Sequence, residues 1–269
     1  MLIKNKIFNQ AVIKYIVIIL MVLDHYAQYY LNSNSNLYFF CRTISRLTGP
    51  TMAFFIAEGC FYTRNVKKYL LRLAIFAIIS TIPFALYETN MVSIFNFTNK
   101  LNDIPNLVAW HFIPSKNKYF VVSAASVICS LFFGLLSIVL WDKTKLSVIV
   151  KIFFTVLILY LSCFCDWNYY NVLFCLIFYF LRKNTTLMWL AFLAVAVLYI
   201  FGIKFSNNFA FKITSHIRTF RLGILAVPLF IELFYNGLPG KKCAFNKWFF
   251  YIFYPLHLFV LYYLKMYVI

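Results

Sequence analysis

Apolar residues run in long, nearly unbroken stretches along this chain, and short polar turns separate them. An α-helix needs about 20 mostly apolar residues to cross a bilayer. Nine stretches approach that pattern: 9–31, 38–62, 70–87, 119–141, 146–165, 168–181, 186–203, 220–236 and 248–267. The turn NSNSN after the first stretch is polar throughout. The longest connection, 88–118, contains AWHFIP, which predicts a short helix at the membrane surface. No internal repeat is visible, which argues against the inverted-repeat architecture of many transporters. The pattern predicts an all-α fold, a polytopic membrane bundle of nine to ten helices forming one domain over 1–269. The first stretch lacks a small-residue cleavage site and predicts a retained helix, not a signal peptide.

Composition agrees. The 269 residues are 64% hydrophobic and only 12% charged, with a mean hydropathy of +0.82. Soluble domains hold about 45–50% apolar and about 25% charged residues. Lys and Arg number 25 against 7 acidic residues, a formal charge of +18. Such a surplus raises nucleic-acid binding, but here the basic residues sit in short turns between apolar stretches, as membrane insertion favours. No nucleic-acid partner is expected.

The same residues set the orientation. With the N-terminus inside, fifteen lie on the cytoplasmic side: Lys4, Lys6, Lys14, Arg64, Lys67, Lys68, Arg72, Lys143, Lys145, Lys151, Arg182, Lys183, Lys241, Lys242 and Lys247. Eight lie outside: Lys100, Lys116, Lys118, Lys204, Lys212, Arg218, Arg221 and Lys265. The bias predicts a multi-pass membrane protein with its N-terminus inside and its C-terminus outside. The 7 cysteines show neither a disulfide framework nor metal-ligand spacing and read as small hydrophobes. His111 and His216 read as ordinary residues of outer loops. The basic turns 64–72 and 241–247 suit a phosphorylated cofactor or the anionic inner leaflet, and topogenic lysines alone would also explain them.

The polar residues inside the apolar stretches are the candidates for chemistry, because a charged side chain at mid-bilayer costs at least about 2.5–3.5 kcal/mol. The first stretch carries Asp24 and His25, the second Arg42, Arg46 and Glu58, and the ninth His257 in YPLHLF. The fifth ends on Asp166. Arg42 and Arg46 share a helix face ahead of Pro50, which predicts a bend or break there. Adjacent residues on a helix point about 100° apart, so Asp24 and His25 cannot form a side-by-side dyad. Either Asp24 pairs with Arg42 or Arg46, or the helix unwinds. His25, the side chain suited to proton transfer near neutral pH, is the candidate base.

At these residues the chain resembles the TraX family, named for a conjugation protein that N-acetylates pilin. The matching stretches are ILMVLDH (19–25), CRTISRLTGPTMAFFIAEG (41–59) with TRNVKKYLLRLAIFAIISTIPF (63–84), DWNYYNVLFCLIFY (166–179), VPLFIELFYNGLPGKK (227–242) and WFFYIFYPLHLFVLYYL (248–264). The combination of LDH, AEG and YPLHL carries the specificity. The family is similar to the wider group of multispanning acyltransferases, whose first span holds a basic residue, ten residues and a histidine. Lys14 and His25 have that spacing. The connection 88–118 is longer than the resemblance leads one to expect.

The resemblance implies transfer of an acetyl group from cytoplasmic acetyl-CoA to an amine or hydroxyl of an exported peptide, pilin or cell-envelope glycan. His25 would be the base, with Asp24 and Glu58 in the same catalytic site. Arg42, Arg46, His257 and Asp166 would meet the acceptor. Lys14, Arg64, Lys67 and Lys68 would hold the donor, and no metal is implied. A transporter or flippase, or a non-enzymatic immunity or assembly protein, are the alternatives that the same buried polar residues admit.

Overall fold

The computed structural model describes residues 6–89, 125–202, 204–205, 211–212, 218–240 and 244–267. AWHFIP and His111 lie outside the described residues, as do His216 and the start of the basic turn 241–247. The described chain is helical: α1 Gln10–Tyr30, α2 Asn36–Ile44, α3 Thr48–Tyr62, α4 Val66–Thr89, α5 Val127–Lys143, α6 Val148–Ser162, α7 Tyr170–Phe180, α8 Thr185–Ile200, α9 Val227–Phe234 and α10 Ala244–Tyr267. Among the described residues the strands are two short ones, β1 Lys204–Phe205 and β2 Phe211–Lys212, paired antiparallel.

Every apolar stretch contains helix, but helix bounds and stretch bounds differ: α4 and α10 start before their stretches, while α5 to α8 are shorter than theirs. The second stretch breaks into α2, a 3₁₀ turn at Ser45–Leu47 and α3. Pro50 sits in the first turn of α3, where its missing N–H costs nothing. The eighth stretch starts as a 3₁₀ helix, Thr219–Ala226, and becomes α9 with Pro228 in its first turn. Among the described residues two helical segments, Gln10–Tyr30 and Val66–Tyr87, are long and apolar enough by themselves to cross a membrane. The expected nine to ten crossings therefore exceed what helix length alone supports. Hydropathy along the chain cannot register the breaks that cap a helix early.

The start is fixed locally. The side chain of Asn9 accepts from Val12 N at 3.1 Å and caps α1. The strand-like residues before it bond to the end of α9, Phe8 N to Phe234 O and Asn236 N to Phe8 O, both at 3.0 Å. Contacts in matching order show α1 and α10 running parallel: Tyr15 against Phe250, His25 against His257, Tyr30 against Leu261. α3 runs antiparallel to α1, with Ser45 Oγ on Leu20 O and Gln10 on Glu58. α4 packs along α10 and α5, and α7 packs along α3 and α5.

Small residues let these helices approach. Ala53 and Ala57 of α3 are buried, and Cys175 Sγ of α7 donates to Ala53 O at 3.7 Å. Close packing of this kind drives helix association where lipid removes the hydrophobic contrast. Outward faces stay apolar: Ile78 is 73% exposed and Ile149 81%.

One turn between α6 and α7 is strained. Trp167 and Asn168 both hold positive φ, +63° and +46°, a conformation costing of order 1–3 kcal/mol for residues other than glycine. Asp166 N on Ala125 O at 2.8 Å and Asn168 N on Cys165 O at 3.0 Å hold it. The Trp167 ring lies over Gly49, where a Cβ would stand 2.6 Å from ring carbons. Gly49→Ala should therefore push Trp167 out and lower stability by about 1–3 kcal/mol, as overpacking does. Thermal unfolding in detergent measures the loss, and an unchanged Tm would show that the contact is not tight.

Candidate functional site

α1 presents Asp24 and His25 in different directions, and each side chain finds its own partners. Asp24 goes to the arginines. Arg46 Nη2 donates to both carboxylate oxygens at 2.5 Å, and Arg42 Nη1 lies 2.9 Å from Asp24 Oδ1. Arg42 Nη1 also donates to Gln28 Oε1 at 3.0 Å. Arg46 uses its remaining donors on Tyr199 Oη at 3.0 Å and on the carbonyl of Arg42 at 3.1 Å. Both arginines are 7% exposed.

Aromatic rings complete the enclosure. The Arg46 guanidinium faces Trp167 at 5.2 Å and Phe220 at 5.5 Å. That of Arg42 faces Phe220 at 4.8 Å. Such cation–π contacts are worth about 2 kcal/mol when desolvated. Trp167 itself stacks on Tyr199, centroids 5.1 Å apart and planes 7° apart. The strained turn thus sets an aromatic wall against the arginine that holds Asp24. Asp166, next to Trp167, accepts from the Trp167 N–H at 2.9 Å and lies within electrostatic reach of Arg46 and Asp24.

His25 turns toward α10. Its Nδ1 lies 3.0 Å from Nε2 of His257, and each residue is 6% exposed. Tyr87 of α4 donates its hydroxyl to the backbone carbonyl of His25 at 2.9 Å and sets its ring edge-on at 5.1 Å. His257 Nδ1 lies 3.1 Å from the carbonyl of Phe253 one turn earlier. The Phe253 ring stacks on it at 5.5 Å and Tyr254 meets it edge-on. Two imidazoles from opposite ends of the sequence therefore meet inside the bundle.

Glu58 does not join them. It accepts from Tyr235 Oη at 2.6 Å and from Gln10 Nε2 at 3.3 Å, and Lys14 is its electrostatic partner. The Lys14 ammonium lies over Phe55 at 5.4 Å and Phe250 at 5.7 Å. Lys14 stands eleven residues, about 16 Å, before His25 on α1 at about 1.5 Å per residue. Arg64, Lys67 and Lys68 are exposed at the start of α4, beyond the Glu58 end of α3. The candidates thus sort into four groups: Asp24 with Arg42, Arg46 and Asp166; His25 with His257; Lys14 with Glu58; and the exposed Arg64, Lys67 and Lys68.

Tyr199, Tyr235, Gln28, Trp167 and Phe220 were not singled out by sequence. Tyr199 and Phe220 sit in apolar stretches with no acidic or histidine neighbour, so nothing local marks them. Trp167 follows Asp166 directly, which was a usable signal. Among the described residues no group of three or more His, Cys, Asp or Glu is placed to hold a metal ion.

The family model described as TraX protein matches residues 9–265. The chain is also 31% identical over 267 residues to a protein of Dichelobacter nodosus named "Probable fimbrial assembly protein FimC, serogroup H1", covering 98% of both chains. No solved structure matches.

Removing the charge of Asp24 isolates two buried guanidiniums. Asp24→Asn should cost about 3–5 kcal/mol, the usual result of breaking a buried pair from one side. Replacing all three together, Asp24→Leu with Arg42→Met and Arg46→Met, should recover most of that loss. Unfolding in detergent compares the variants, and an Asp24→Asn protein as stable as its parent would deny the ion pair a structural role.

Proposed function

The chain belongs to the TraX family, and from that premise we propose that it is a multispanning membrane acyltransferase. It moves an acetyl group from cytoplasmic acetyl-CoA to an amine or hydroxyl of an exported acceptor. The relative's name points to a fimbrial or pilin subunit as that acceptor, and an envelope glycan is the other chemical class that fits. The whole chain forms one membrane domain in the bacterial cytoplasmic membrane, N-terminus inside. The parallel course of α1 and α10 supports this, since the first and ninth crossings of one bundle must point the same way. The outward apolar faces of α4 and α6 support it too.

The observation that carries the reading is the buried His25, its ring gripped at 3.0 Å by His257. A neutral imidazole held in place inside a bundle is the equipment of a general base. Lys14 lies on the same helix toward the other membrane face. The donor's charged nucleotide end meets Arg64, Lys67 and Lys68, and Lys14 with Glu58 marks the way inward. The acceptor nitrogen or oxygen attacks the thioester carbonyl while His25 takes its proton. The carbon–sulfur bond breaks, and the CoA sulfur leaves and regains a proton. Arg42, anchored by Asp24, steadies the acceptor. Asp166 and Arg46 shape the same wall.

Two measurements test this. In nanodiscs with acetyl-CoA and pilin peptide, His25→Ala should slow acetyl transfer about 10²–10⁴-fold, the worth of a general base, with Tm retained. Transfer at the parental rate in that variant would exclude His25 as the base. A non-enzymatic assembly role, which the relative's name also admits, predicts no CoA release from the parent protein either. Lys14→Met should raise KM for acetyl-CoA and leave kcat near its parental value, the mark of lost uniform binding. An equal fall in kcat with KM unmoved would place Lys14 in the chemistry instead.

A further inference from the structure

We infer that His257 is a positioning residue that fixes which nitrogen of His25 is basic, an inference that rests on the acyltransferase reading only for its kinetic consequence. One line of hydrogen bonds sets the tautomer. The carbonyl of Phe253 can only accept, so His257 Nδ1, 3.1 Å away, carries the proton that joins them. A neutral imidazole has one N–H, so Nε2 of His257 holds a lone pair. His25 Nδ1, 3.0 Å from that lone pair, must then be the donor. That leaves Nε2 of His25, on the far edge of the ring, as its basic atom. Among the described residues no group bonds that nitrogen.

The surroundings favour two neutral rings. Asp24, the carboxylate adjacent in sequence, is occupied by Arg42 and Arg46. His257 touches aromatic rings and backbone: Phe253 stacked at 5.5 Å, Tyr254 edge-on at 5.4 Å. His25 meets Tyr87 edge-on at 5.1 Å. An imidazolium in this pair would have two guanidiniums near it and no carboxylate of its own. Histidine in water prefers its proton on Nε2, so the pair holds His25 in the less favoured tautomer. In hydrolases with a catalytic triad a carboxylate does this work; here a neutral imidazole does, anchored on a helix carbonyl. When His25 takes the acceptor's proton, its Nδ1–H bond to His257 becomes charge-assisted and shortens.

The test uses full-length protein labelled with ¹⁵N-histidine in lipid nanodiscs. The chain has 4 histidines, so substitution of each assigns the signals. His25 of the parent should show a protonated Nδ1 and an unprotonated Nε2. His257→Phe removes the acceptor; it should move the His25 proton to Nε2 and slow acetyl transfer about 10²–10⁴-fold with KM for acetyl-CoA unchanged. His257→Gln places an amide oxygen near the position of Nε2; it should keep the Nδ1 proton and restore most of the rate. A parent protein with its His25 proton on Nε2 would overturn the inference. So would His257→Phe transferring acetyl at the parental rate while His25→Ala does not. If the parent transfers no acetyl group at all, the acyltransferase reading fails, and the nitrogen signals still decide the tautomer.

Discussion

One carboxylate stands between two guanidiniums inside an apolar bundle, and much of the structure is arranged around that fact. Burying an ion removes its hydration, an effective penalty of several kcal/mol per ion. The penalty is offset only where every donor and acceptor is matched. Arg46 comes close to that limit: two bonds to Asp24, one to Tyr199, one to a carbonyl of its own helix, and aromatic faces at Trp167 and Phe220. The partners come from α1, α8, the turn before α7 and the 3₁₀ helix before α9. A single side chain thus ties together elements spread from residue 24 to residue 220. The strained Trp167 conformation follows from the same demand, because the ring has to reach both Tyr199 and the guanidinium.

The ion pair also decides what His25 does. A helix turns about 100° per residue, so a neighbour in sequence is not a neighbour in space. With Asp24 committed to α2 and the 3₁₀ turn, His25 faces α10, where His257 awaits it. The pairing of charges and the pairing of imidazoles are two faces of one helix. They use separate partners and share no hydrogen bond. Lys14 and Glu58 make a third pairing farther down α1, with Tyr235 as the short bond and Gln10 as the long one. Most polar groups of these three sets are consumed within the set; Arg42 Nε is the buried exception.

This closure explains what was readable in the sequence. Asp24, His25, Arg42, Arg46, Glu58 and His257 announce themselves because charge and imidazole are rare in apolar stretches. Their number and order locate the site, and the 100° rule separates Asp24 from His25 before any coordinates exist. The partners Tyr199, Tyr235 and Phe220 were invisible, because an aromatic residue in an apolar stretch carries no mark of its hydroxyl's or ring's employment. Glu58 shows the converse failure. The resemblance grouped it with His25, yet α3 carries it to the Lys14 end of α1, where it meets Gln10 and Tyr235. Helix ends were misread where the chain changes to 3₁₀ geometry, at Ser45–Leu47 and Thr219–Ala226. Apolarity is the same in both conformations.

The last consequence concerns the choice of a neutral partner for His25. A carboxylate in the place of His257 would be drawn into the arginine cluster, since two guanidiniums already share one anion. It would compete with Asp24 and weaken the set that fixes α2 and the 3₁₀ turn. An imidazole anchored on a backbone carbonyl accepts one hydrogen bond and adds no charge. It orients His25 without disturbing the ion pair one residue away. The anchor is itself helical geometry, a carbonyl four residues earlier, so it comes with the secondary structure of α10. In a bundle where each charge must be matched, a neutral orienting group is the arrangement that lets a base and a buried salt bridge occupy adjacent positions on one helix.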